Sequence, residues 1–212
     1  MRKQVAVWVV LMGFGLAGCL QDQSPPAMPA QAPAPPVRIR GTVDKLDGQI
    51  LTVNTREGTK DSIALAPNYI VRTVVRRQLS DIKTGDYVAS TSVKGKDGKL
   101  HAIEVHIFLA AQRGVVPELQ APWDLVPDSV MTNAVVTGIA KVPSGRVLSL
   151  TYKGTPTEVI VGPKVPIVTY APGDPGMLQH GKAVFLIAQQ KPDGSFGAAN
   201  VTVESKGVKP PM

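Results

Sequence analysis

Apolar side chains in this sequence alternate with polar ones and show no helical spacing. Val37, Ile39 and Val43 lie on either side of Gly41, Ile50, Leu51 and Val53 follow, and then Ile63 and Leu65. A period of two places one face of each run in a core and the other in solvent, which predicts β-strands. Turn signals separate the runs at about ten-residue spacing: Asp47-Gly48, Glu57-Gly58 and Asp97-Gly98, then Ser144-Gly145, Lys153-Gly154 and Asp193-Gly194. Asp-Gly between strand-like runs signals a hairpin because the central positions of a type I′ turn need positive φ. Tyr87 to Thr91 is expected to pair through Asp97-Gly98 with Leu100 to Phe108, and Leu79 to Asp86 to form a helical turn or tight loop. No segment after the amino-terminal run predicts a long amphipathic helix.

The pattern occurs twice. Shifted by 96 or 97 positions, Gly41 falls on Gly138, Gly48 on Gly145, Leu51 on Leu148, Pro67 on Pro163, Asp97-Gly98 on Asp193-Gly194 and Val105 on Val201. Such self-matching predicts an internal duplication, with one copy over residues 37–110, a connector over 111–129, a second copy over 130–205 and a tail over 206–212. Five or six short strands in about 70 residues bury one face economically by closing. The expected fold class is therefore all-β, as two tandem small OB-like barrels. Gly41-Thr42-Val43, Gly48 to Val53, Leu79 to Val88 and Asp97-Gly98 to Val105 resemble a family of small secreted bacterial β domains of unknown function. That resemblance implies a compact OB-like barrel and brings no catalytic residue. In the connector, Ala121-Pro122-Trp123-Asp124-Leu125 and Met131 to Ala134 are similar to a linker in two-copy envelope proteins, some of them labelled metal ABC transporter permease. A permease needs several apolar spans of about 20 residues, and the sequence after Cys19 has none.

The start of the chain carries a different signal. Arg2 and Lys3 form a basic region, Val5 to Leu16 an apolar run, and Leu16-Ala17-Gly18 precedes Cys19, the single cysteine. The run is shorter than the roughly 20 residues of a membrane span, and this order of parts is that of a secretory signal peptide. It resembles the lipobox of bacterial lipoproteins. The resemblance implies removal of residues 1–18 and acylation of Cys19 on its sulfur, by a palmitate-like chain, and on its new amino terminus. One acyl chain anchors only reversibly, whereas several anchor stably. Residues 19–36 then form a linker in which Ser24 to Pro36, SPPAMPAQAPAPP, favours polyproline II at about 3.1 Å per residue, a stalk of roughly 40 Å. With Leu20 after the cysteine, the enteric sorting rule points to the outer membrane. The expected location is the cell envelope, lipid-anchored and facing the periplasm.

Chemistry is sparse. The formal net charge is +7, and taking away Arg2 and Lys3 leaves +5. Arg38, Arg40, Arg72, Arg76 and Arg77 concentrate this charge in the first copy, where a shared face would meet an anionic envelope component or an acidic protein. Trp123, in a proline-bracketed connector, is expected either to pin the linker against a barrel or to anchor a partner. His101 and His106 are five apart in an expected strand, so period two puts them on opposite faces, and with His180 they make no metal set. No triad, phosphate loop or dinucleotide fingerprint is present. Exposed aromatics for base stacking are few, which argues against nucleic acid. The sequence thus predicts a binding or scaffolding module that is not an enzyme and carries no cofactor, bound to the membrane by lipid. The alternative is an accessory component, binding metal or solute, of a membrane transport system.

Overall fold

The computed structural model describes residues 35–210. The expected signal peptide, the lipidated Cys19 and the proline-rich linker up to residue 34 lie outside the described residues. Twelve strands follow one another: β1 (Val37–Asp47), β2 (Ile50–Thr55), β3 (Lys60–Arg77), β4 (Tyr87–Lys94), β5 (Leu100–Ile107), β6 (Leu119–Pro122), β7 (Val130–Val142), β8 (Gly145–Tyr152), β9 (Thr155–Val161), β10 (Ile167–Pro172), β11 (Ala183–Gln190) and β12 (Phe196–Val203). Three single 3-10 turns, the first at Leu79–Asp81, are the only helical elements among the described residues. The protein is all-β, as alternation predicts, and the hairpin from Tyr87 through Asp97-Gly98 forms with Val88 opposite Ile107.

Closure comes from an exchange of strands. β1, β2 and β3 pair in antiparallel order, but β1 finds its other neighbour in β11 and β3 finds its own in β12, parallel. With β11 paired to β12 the result is a closed five-stranded barrel. Its interior is a single apolar cluster in which Ile39, Val43, Leu51, Val53 and Ile63 meet Val184, Leu186, Val201 and Val203. The remaining strands run on from β3 through β10 to β5, β4, β7, β8 and β9, with β6 along β7. β9 returns to β5 in parallel at Leu100↔Val159 and His101↔Ile160. Val88, Ala102 and Val105 there pack with Val136, Leu148, Leu150 and Val159.

Strand pairings cross the boundaries of the expected partition. A first barrel of residues 37–110 and a second of 130–205 would need β1–β3 to close on β4–β5, yet no pairing joins those two groups among the described residues. All described residues belong to one compact unit. The 18-residue strand β3 is the physical reason: its first part pairs with β2 and its second with β10, so the chain is carried from one set of strands into the other. The connector is also partly strand, with Leu119 opposite Asn133.

Pairing also shifts one of the sequence matches. Val43 opposes Val53 just before a bulge on β1, and Val136 opposes Leu150 just before a bulge on β7. The offset between these equivalents is 93 before the hairpin, Val43 to Val136, and 97 after it, Val53 to Leu150, because the second hairpin is longer. Gly41 and Gly138 therefore occupy different places. Gly145 sits at φ 134° with Val161 O only 2.1 Å from where a Cβ would stand, while Gly48, at φ 56°, has open space. Gly145→Ala should lower stability by about 3 kcal/mol and Gly48→Ala by about 1. Urea unfolding of the two variants checks this, and equal losses would refute it.

Candidate functional site

The strands of the closed barrel turn Ile39 and Val43 inward, so Arg40 projects outward, yet it is only 8% exposed. Phe185 on β11 is its register partner, and the guanidinium lies 4.8 Å from that ring centroid. Arg40 Nη1 is 3.0 Å from Asp124 Oδ1 in the connector. Burial lowers the pKa of Arg40 and the contact with Asp124 opposes that shift. Two residues earlier, Arg38 stacks 3.8 Å over the Trp123 ring and lies 3.9 Å from Asp124. Arg56, absent from the sequence reading, donates to the carbonyls of Asp124 (2.6 Å) and Leu125 (3.3 Å). Three arginines of one barrel thus clamp Trp123-Asp124-Leu125, and the Trp123 N–H to Ser129 O bond, 2.7 Å, closes the turn behind it.

The five-arginine patch does not assemble. Arg38 and Arg40 come together on the connector, and Arg40 is buried there. Arg76 and Arg77 are exposed near the end of β3, opposite Val168 and Ile167. Arg72 has its guanidinium 5.6 Å from the Tyr170 ring centroid and lines a hollow with Trp123 and Phe185, the rings on which Arg38 and Arg40 pack.

Beside Arg40 and Arg72 lies a buried polar layer that alternation did not reveal. The β4–β5 register slips between Thr91 and Ser92, leaving Ile103 as an extra residue on β5. Ala102 and Val105 consequently both face the core, and His101, Glu104 and His106 share the outer face. The expectation that His101 and His106 face opposite ways fails because a bulge resets the period. His101 stays near the hairpin, 3.0 Å from Asp97, while His106 is fully buried and Glu104 is 2% exposed. His106 sits 4.0 Å from the Tyr170 ring centroid and 5.2 Å from that of Phe108. Neither of its ring nitrogens, nor Glu104 Oε2, has a hydrogen-bond partner among the described residues. Burial pushes Glu104 up to about 8, against the opposing pull of Arg40. It pushes His106 down to about 3, with Arg72 adding to the shift. Tyr170 is raised to about 12, again by burial. At neutral pH both Glu104 and His106 are therefore uncharged, and the formal charges beside them are the arginines.

Two connected hollows lie next to this layer, reaching Tyr170 and Phe108, the ring neighbours of His106. The inner one, about 230 Å³, is lined by Ala89, Phe108, Trp123, Met131, Asn133, Tyr170 and Phe185. The outer one, about 780 Å³, runs along Tyr69, Ile70, Leu109, Val115 and Pro172. They share Arg72, Gln112, Val116 and Tyr170. Arg72 is the one charged residue lining either hollow and makes no ion pair among the described residues. Asn133 donates from Nδ2 to Pro117 O at 3.2 Å, and its Oδ1 is buried without a partner among the described residues. Trp123 Nε1 is also buried without a partner among the described residues. At the mouth, Ile70 is 52% and Val115 77% exposed.

Among the described residues no group of three or more His, Cys, Asp or Glu side chains converges, and no helix is long and apolar enough to cross a membrane. No protein-family model, curated protein or solved structure matches the chain.

Proposed function

We infer that the protein is a non-catalytic binding module of the cell envelope, held to the membrane by acyl chains on Cys19 and facing the periplasm, with the cleft at Arg72 as its binding site. The observation that carries this reading is the cleft: apolar and aromatic walls around one cation with no counter-charge among the described residues. Ligand sites take this form, mostly apolar with a few polar groups that orient the occupant. The Leu16-Ala17-Gly18-Cys19 string and the proline-rich stretch after it support the anchor and stalk. Two OB-like copies fit the pairings. β1, β2, β3, β12 and β11 follow the order first, second, third, fifth, fourth, and β7, β8, β9, β5 and β4 follow it as well, with the exchanged strands taken from the other copy.

In cells, the chain should incorporate labelled palmitate and fractionate with membranes, and Cys19→Ser should lose the label. A photo-crosslinking residue at Ile70 or Val115 should trap one species that the same residue at Ile50, on β2, does not. Palmitate label that survives Cys19→Ser removes the anchor. Equal trapping at all three positions removes the cleft as the site.

A further inference from the structure

Resting on the reading of this cleft as a binding site, we propose that its ligand is a single-chain anionic amphiphile, an acyl chain ending in one carboxylate or phosphate. Two features of the lining define that class, the charge of Arg72 and the apolar walls around it. Arg72, at the junction of the two hollows, is a cation with no carboxylate within ion-pair distance among the described residues. A half-buried arginine among apolar and aromatic walls favours an anionic oxygen group, which it meets through two parallel N–H donors. The neutral state of Glu104 and His106 leaves that field uncompensated.

The rest of the surface selects the body of the ligand. Phe108, Met131 and Phe185 line the inner hollow, and Ile70, Leu109 and Val115 the outer one. Ile70, Leu109 and Val115 stay exposed at 52%, 44% and 77%. A hydrophilic anion such as free phosphate would leave this apolar wall wet, while a neutral hydrocarbon would leave Arg72 without a counter-charge. An acyl chain with one charged end satisfies both.

The test uses the processed, lipid-anchored chain in nanodiscs of zwitterionic phosphatidylcholine, where removal of residues 1–18 takes away Trp8 and leaves Trp123 as the sole indole. Tetradecanoate, tetradecyl phosphate and the neutral tetradecanol are titrated below their micelle concentrations, with Trp123 emission as the readout. The acids should shift the emission and tetradecanol should bind at least about tenfold more weakly, as loss of a charge-assisted contact implies. Whichever simple acid binds tighter identifies the head group. Arg72→Gln should weaken the acids at least about tenfold and leave tetradecanol unchanged, with Arg72→Lys, which keeps the charge and loses the two parallel donors, falling between Arg72→Gln and the parent. Ala89→Val, which narrows the inner hollow without touching a charge, should weaken acids and alcohol alike. Tetradecanol binding as tightly as the acids, acid affinity indifferent to Arg72→Gln, or no response to any probe overturns the proposal. Crosslinking at Ile70 and Val115 separates the two readings: a specific species trapped there without amphiphile binding overturns the ligand class alone, and loss of both overturns the cleft itself.

Discussion

Folding stability should be level between about pH 4.5 and 6.5 and fall on both sides, and Glu104→Gln should abolish the alkaline fall. The cause is the pair of buried groups beside the cleft. Glu104 titrates near 8 in the native state against 4.5 ordinarily, so between those values the unfolded chain has lost a proton that the native chain keeps. Stability therefore drops as pH rises through that window and stops dropping above about 8. His106 is the mirror case, near 3 against 6.5, so the unfolded chain binds the extra proton and stability drops as pH falls below 6.5. Where the windows overlap, the slopes cancel. At 1.36 kcal/mol per unit, the advantage of Glu104→Gln over the parent should grow by about 4 kcal/mol between pH 5 and 8. His106→Phe keeps the ring contacts with Tyr170 and Phe108, discards two unpartnered nitrogens, and should gain on the parent below pH 6. Urea unfolding at pH 4 to 9 measures both; a Glu104→Gln curve parallel to the parent's would show that the carboxyl is not held neutral.

Asp124→Ala should cost about 3 kcal/mol, several times the cost of Arg38→Ala. Asp124 lies within 4 Å of the guanidinium groups of Arg38, Arg40 and Arg56. Its own side chain is 39% exposed, and so is much of Arg38 and Arg56, which makes those two pairs weak and salt-screened. Arg40 differs, with a side chain only 9% exposed. Removing the anion strands a desolvated cation, a penalty of about 3–5 kcal/mol for fully buried pairs, reduced here by the wet side of Asp124. The loss should change little between low and high salt, and Asp124→Ala combined with Arg40→Met should recover much of it. A double variant no more stable than Asp124→Ala would mean that Arg40 is held by something other than Asp124. The carboxylate also holds Trp123 on Arg38, so the single variant should loosen the wall of the inner hollow as well as the fold.

Alternation and Asp-Gly turns were enough to read the strands and the hairpin between β4 and β5, because both are local. The exchange of β11 and β12 for β4 and β5 was not legible. A period of two says that one face of β1 is buried, but the same pattern serves whether the neighbour is Tyr87 to Thr91 or Ala183 to Gln190. The bulge at Ile103 was equally silent, as every side chain around it is an ordinary strand residue. Arg38, Arg40 and Trp123 were found as chemistry-bearing residues, yet their meeting on Asp124 depends on the path of the connector. Glu104 had no signal: a lone acid between Ile103 and Val105 reads as a solvent-facing position until the outer face of that strand is itself covered.

The pairing of Val37 with Ala188 has a consequence for how the chain is made. β1, β2 and β3 leave the ribosome first, but their barrel stays open until β11 and β12 have been synthesised. Throughout that interval the edges of β1 and β3 offer unpaired backbone groups, the surface on which strands from other chains add. Closure over so long a separation is slow. The same delay keeps the chain threadable, so that a route through a membrane pore needs no unfolding of a finished barrel.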